Sequence, residues 1–198
     1  QLFGGIGHNF ANPAIVGRIA LAVSFPSLMT AYPYPQTLSG VDILSSATPL
    51  AAHGQRLPLL DLLLGTHGGV LGETCALALL IGFGWLLCTR TVELTIPLAY
   101  LSTVAAMSAL CGQNVLTQLL SGGLLLGAFF MATDYTTSPF TRKGKLIFGV
   151  GCGLITCAIR FWGNMNEGVS YSILLMNLTV PYINAKTRKT PMGGGKRK

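Results

Sequence analysis

From Val115 to Thr133 the chain reads "VLTQLLSGGLLLGAFFMAT", without one charged residue. A run of that length and apolarity is too long for a buried strand and matches the roughly 20 residues a helix needs to cross a bilayer core. Five further apolar blocks flank it, at Pro13–Tyr32, Gly69–Cys88, Ile96–Cys111, Leu146–Phe161 and Gly168–Ile183. Across the 198 residues only 10% are charged and 51% are hydrophobic. A soluble domain carries about 25% charge, so this chain has too little to cover a water-facing surface. The expected fold class is therefore an all-α integral membrane protein, a polytopic helical bundle. We read residues 1–198 as one transmembrane domain of about six spans, closed by a basic tail at 184–198.

Two segments fit poorly as full spans. "QLFGGIGHNFANPA" is a Gly/Asn/Pro stretch that opens a helix, and "LPLLDLLLGTHGG" is a short apolar run carrying Asp61 and ending in glycine. Both read as half-helices or re-entrant segments, a backbone tolerated at membrane depth only where protein buries it or a cavity borders it. Gly123-x-x-x-Gly127 and Gly149-x-x-x-Gly153 predict close helix packing. Glu73, Asp61 and Asp134 lie in or beside apolar blocks, so they are candidates for an ion path or gate. Glu73 at a helix start also fits a simple cap. Arg18 is expected to pair with an acid or a carbonyl. His8, Asn9, Asn12 and Arg18 are expected to satisfy backbone left open by a broken helix.

The formal charge is +7. Its placement argues against a nucleic-acid partner, because the basic residues cluster at span ends. Arg90, then Arg142, Lys143 and Lys145, then Lys186, Arg188, Lys189, Lys196, Arg197 and Lys198 fall two spans apart. All three groups therefore share one face, which the positive-inside rule assigns to the cytoplasm. The loops at Thr48, Gly112–Asn114 and Gly163–Glu167 then face outward, with Arg56 and Arg160 as basic exceptions. Cys75, Cys88, Cys111, Cys152 and Cys157 form no CxxC pair. They read as small apolar packing residues, with an iron–sulfur site shared with a partner subunit as the alternative. No metal ligand set is expected in this chain. The opening "QLFGG" has neither Met nor a signal peptide, so upstream sequence is expected.

The polar loop Val41–Arg56, "VDILSSATPLAAHGQR", stands out in this apolar chain. Its Asp42-x-x-Ser45-Ser46-Ala47-Thr48 resembles the target of flavin transferases, Asp-x-x-Ser/Thr-Gly-Ala-Thr, with Ser46 where glycine is usual. A threonine hydroxyl is a poor nucleophile until positioned, so an external enzyme must read a slim, exposed loop. Taken alone, Asp42 and Ser45 also fit turn caps. The flanking blocks "GGIGHNFANPAIVGR", "DLLLGTHGGVLGETCALALLIG", "MATDYTTSP" and "NEGVSYSILLMN", in this order, resemble the RnfD family from Phe3 to about Asn184. The homologous NqrB subunits share the pattern. Tyr135 departs from it, standing where the family has proline.

The resemblance implies a fold similar to urea and ammonium channels, with half-helices meeting inside. It implies a prokaryotic cell-membrane subunit of an ion-translocating complex that moves electrons between ferredoxin and NAD. It implies FMN joined covalently to Thr48 through its phosphate, with Asp42, Ser45, Ser46 and Ala47 as recognition residues. Arg56 would pair with the phosphate or serve as an interfacial anchor, and His8, Asn9, Asn12 and Arg18 would, as the alternative to satisfying open backbone, hydrogen-bond a second flavin such as riboflavin. Implied partners are the other Rnf subunits, including a second FMN-carrying subunit, a flavin transferase and membrane lipid. The alternatives are an NqrB-like subunit of a sodium-pumping NADH:quinone oxidoreductase, a passive solute channel, and a structural subunit without flavin. A self-contained soluble enzyme is excluded by composition, and substrate sites are expected on partner subunits.

Overall fold

A computed structural model describes residues 9–29, 59–65, 70, 72–163 and 168–188, the side chains of 59 and 61 excepted. Among these residues every regular element is helical. The elements are α1 (Pro13–Ser24), α2 (Pro26–Met29), α3 (Leu59–Leu64), α4 (Ala76–Cys88), α5 (Thr95–Leu110), α6 (Val115–Leu120), α7 (Leu124–Leu126), α8 (Arg142–Trp162) and α9 (Val169–Thr187). A π-helical turn, Gly127–Met131, continues α7. By length and composition α8 can cross a membrane, while α1, α4 and α5 are shorter apolar helices.

Helix ends follow local chemistry. Asn12 caps α1 by accepting from Ala14 N at 3.0 Å, with Pro13 at the first helical position. The expected first span does not run on as one helix. Pro26 lacks an N–H and pushes Phe25 out of the helical region (φ −132°, ψ 61°), so α1 ends at Ser24. Helix α3 is the short piece expected from its sequence. It stops at Gly65, whose φ of 81° only glycine adopts freely. The block expected from Gly69 becomes helical only at Ala76, after a turn through Glu73. Thr141 caps α8 by accepting from Gly144 N at 3.0 Å, drawing the basic residues Arg142, Lys143 and Lys145 into the first turn. Helix α9 runs four residues beyond the expected Ile183 and carries Pro181 inside.

The largest departure is the charge-free block Val115–Thr133. It is three short pieces: α6, a break at Ser121–Gly123, and α7 with its π turn. Ser121 leaves the helical region (ψ 154°) and Gly122 takes φ 68°. Apolarity marked this segment for burial, but the Ser-Gly-Gly triplet breaks its helix.

The main seam joins α5 to α8, which run parallel. Gly149 and Gly153 make the close approach that their spacing predicts. A Cβ on Gly149 would stand 2.8 Å from Ala99 Cβ and 2.9 Å from Ile96 O, and one on Gly153 would stand 2.6 Å from Thr103 Cβ. The Gly123/Gly127 pair does this only in part. Gly127 admits Val169 of α9, but Gly123 admits a carboxylate instead of a helix.

Candidate functional site

The broken span leaves backbone groups open inside the protein. The last carbonyls of α6 and the first amides of α7 lose their helical partners at the break. Two charged side chains reach it from other elements. Arg160, in the last turn of α8, donates to Gln118 O at 2.8 Å, to Gln118 Oε1 at 3.2 Å and to Ser121 O at 3.4 Å. Ser121 Oγ turns back to Thr117 O. Glu73, in the turn before α4, lies against Gly123, where an added Cβ would come within 2.9 Å of its carboxylate. Thus a cation sits at the carbonyl end of one half-helix and an anion at the amide end of the next, the signs that helix termini favour.

Glu73 also pairs with Arg18 of α1, and the carboxylate is buried, with 3% of its side chain exposed. The expectation that Arg18 finds an acid is met. Glu73 stands two residues before the N-cap of α4, Cys75, and its carboxylate faces α1 and the broken span. A carboxylate this buried is tolerable with a guanidinium beside it, since an uncompensated buried charge costs several kcal/mol. Chemically the Arg18–Glu73 pair is net neutral.

A second cluster ties the half-helix opening to the far side of the break. Asn12 Nδ2 donates to Met131 O, at the end of the π turn, at 3.5 Å. With the Asn177 amide oriented to suit its neighbours, its nitrogen donates to Thr137 O (3.3 Å) and its oxygen accepts from Asn12 N (3.1 Å). Asn12 is therefore engaged with backbone. A third cluster is closed and uncharged. Tyr100 Oη, Thr156 Oγ1 and Ser172 Oγ form a triangle with sides of 2.6, 2.8 and 3.1 Å, joining α5, α8 and α9. Phe83 of α4 stacks on Phe129 of the π turn, with centroids 4.1 Å apart.

The candidate residues of the sequence fall in three groups. Thr48, Asp42, Ser45, Ser46, Ala47, Arg56 and His8 lie outside the described residues. Arg18, Glu73 and Asn12 are brought to the interior around the break. Asp134 is not among them. It serves its own turn, accepting from Thr136 Oγ1 at 2.8 Å and Thr137 Oγ1 at 3.1 Å. Asp61 falls within α3. Among the cysteines, Cys152 and Cys157 are buried, and Cys75 Sγ donates to Leu63 O at 3.6 Å. The role of Arg160 went unread, although its place as an outer-side basic exception was the signal.

Comparison with known proteins adds a lineage. The model of the NQR2, RnfD, RnfE family matches residues 1–193. The D component of a Na+-translocating ferredoxin:NAD+ oxidoreductase complex from Acetobacterium woodii is 46% identical over 98% of this chain and 62% of its own length. The D component of an ion-translocating oxidoreductase complex from Stutzerimonas stutzeri is 41% identical over 98% of this chain and 66% of its own. The D component of a proton-translocating ferredoxin:NAD+ oxidoreductase complex from Clostridium ljungdahlii is 38% identical over 96% and 63%. The chain thus spans less than two thirds of the length of these relatives.

Proposed function

This chain belongs to the NQR2, RnfD, RnfE family, and on that premise we propose that it is the flavin-carrying membrane subunit of an Rnf-type complex. Such a complex passes electrons between ferredoxin and NAD and couples this to movement of Na+ or H+. One coincidence carries the reading: the similarity to these relatives extends over nearly the whole chain, and the Asp42 to Thr48 motif lies within it. The names of the relatives favour the Rnf reading over an NqrB-like quinone reductase.

Thr48 is the attachment residue, its hydroxyl joined to the FMN phosphate by a phosphoester. Asp42, Ser45, Ser46 and Ala47 shape the loop that a flavin transferase reads, and Arg56 balances the phosphate charge. The donor set fits the group, since it offers a hydroxyl for the ester and a guanidinium for the anion. When bound, the flavin supplies one- and two-electron transfer. A second flavin at the half-helix opening is the weaker alternative, because Asn12 is already spent on α1 and on Met131 O.

The fold that suits this role is a channel-like bundle with half-helices, which α3 and the α6–α7 break support. A passive channel is disfavoured, because Glu73 and Arg160 fill that break. The basic ends at Arg90, Arg142–Lys145 and the tail face the cytoplasm, and the Thr48 loop faces out. The partners are the remaining Rnf subunits, one of them a second FMN carrier.

The test is in-gel flavin fluorescence of the denatured chain, made in cells with an active flavin transferase, beside Thr48→Ala. A fluorescent band that vanishes in the variant is expected. A dark wild-type band, with a control substrate labelled, would remove the covalent-FMN role.

A further inference from the structure

One end of the bundle gathers cations from three elements. The chain entering α8 meets the end of α9 through Thr141 Oγ1 and Thr187 Oγ1 at 2.7 Å, and through Phe140 N donating to Asn184 Oδ1 at 3.2 Å. That contact brings Arg142 and Lys143 beside Lys186 and Arg188, all four exposed. The α4–α5 loop adds Arg90 and Glu93. Glu93 is held by Lys145 at 2.9 Å. The Lys145 hydrogen bond and charge, with Arg142 nearby, keep its carboxyl below the ordinary carboxylate range. Asp134, in the loop leading to α8, is occupied by Thr136 and Thr137. Among the described residues, Arg142, Lys143, Lys186 and Arg188 have no ion-pair partner. Cations in the first turn of α8 also oppose its dipole, so the helix itself gains nothing from them.

The surface below the cations changes character in register. On α9, Leu175, Leu178, Tyr182 and Lys186 are all exposed and fall at helical spacing on one face. That face runs from aliphatic to aromatic to cationic. On α8, Lys143 is followed on its own face by Leu146 and Ile147, again all exposed. Three aromatics ring this end, Tyr135 at 84%, Phe140 at 81% and Tyr182 at 79% exposure. Apolar flank, aromatic girdle and cation in that order match acyl chain, interface and headgroup. A water-soluble acidic partner would account for the cations but not for the aliphatic flank beneath them on both helices.

We propose that the paired ends of α8 and α9 bind the phosphodiester headgroup of an anionic phospholipid between Arg142, Lys143, Lys186 and Arg188, with its acyl chains along the exposed faces below. Charge asymmetry alone would orient the chain with cations scattered anywhere on this side. The convergence of two cation-bearing helix ends, joined through Thr141 and Thr187, makes it a site.

The experiment uses the assembled complex in vesicles containing photoactivatable phosphatidylglycerol or phosphatidylcholine. Adducts on this chain are read by mass. Wild type is expected to favour the phosphatidylglycerol probe by roughly tenfold or more, since each cation near a surface strengthens anionic-lipid attraction severalfold and two of the four acting fully would suffice. The preference should fall toward unity in R142Q/K143Q/K186Q/R188Q, with phosphatidylcholine labelling unchanged as the sign of a folded, inserted chain. Should that variant fail to assemble, raising salt on the wild type must also erase the preference. Equal labelling by both probes in wild type, or a preference retained in the variant, overturns the proposal. So does competition by millimolar inorganic phosphate, which would reassign the site to a free anion. Cross-linking of the patch to another subunit in place of lipid overturns it as well.

Discussion

The α5–α8 seam and the α6–α7 break lie in the same apolar interior but are stabilised differently. At the seam, glycines let two helices touch, and three hydroxyls close a neutral triangle beside them. Each helix keeps its own backbone bonds, so packing does the rest. At the break, the backbone is opened, and full charges on Arg160 and Glu73 complete it. The seam depends on small volume, whereas the break depends on charge as well, since Gly123 also leaves room for the Glu73 carboxylate.

The sharpest way to break that contrast is to remove one charge. Glu73→Gln or Arg18→Leu should destabilise the chain by about 3–5 kcal/mol, because each breaks an ion pair whose carboxylate is buried. The readout is the unfolding midpoint in detergent. Arg18→Leu with Glu73→Leu should recover part of the loss, and a double variant no better than either single one would refute the coupling. Next in size is volume at the seam. Gly149→Val places atoms against Ala99 and Ile96 O and should cost about 1–3 kcal/mol by the same measurement. Smallest is Tyr100→Phe, which leaves Thr156 and Ser172 bonded to each other and should cost about 0.6–1 kcal/mol. A Tyr100→Phe effect as large as that of Glu73→Gln would erase the distinction between the two regions.

Much of this was legible in the sequence, for identifiable reasons. Glycine spacing announced the seam, since a missing Cβ has one geometric meaning on a helix. Arg18 announced a partner, because a lone cation in an apolar block must find one. The short α3 was visible in its length and in the glycine after it. The break at Ser121–Gly123 was misjudged, because charge-free composition reports burial and says nothing of backbone continuity. Ser-Gly-Gly was the local signal, and hydropathy averaged over it. That Glu73 would meet Gly123 was beyond reach, since it depends on how two segments 50 residues apart come to lie side by side.

The neutrality of the Arg18–Glu73 pair has an electrical consequence. In an energised membrane the voltage exerts no net pull on a cation and an anion held together, only a torque on their dipole. Neutralise Glu73 alone and a full positive charge remains, worth up to about 2.3 kcal/mol per 100 mV if it traverses the whole field. The bonded pair thus feels only that torque, whereas either residue alone would feel the full force of the field.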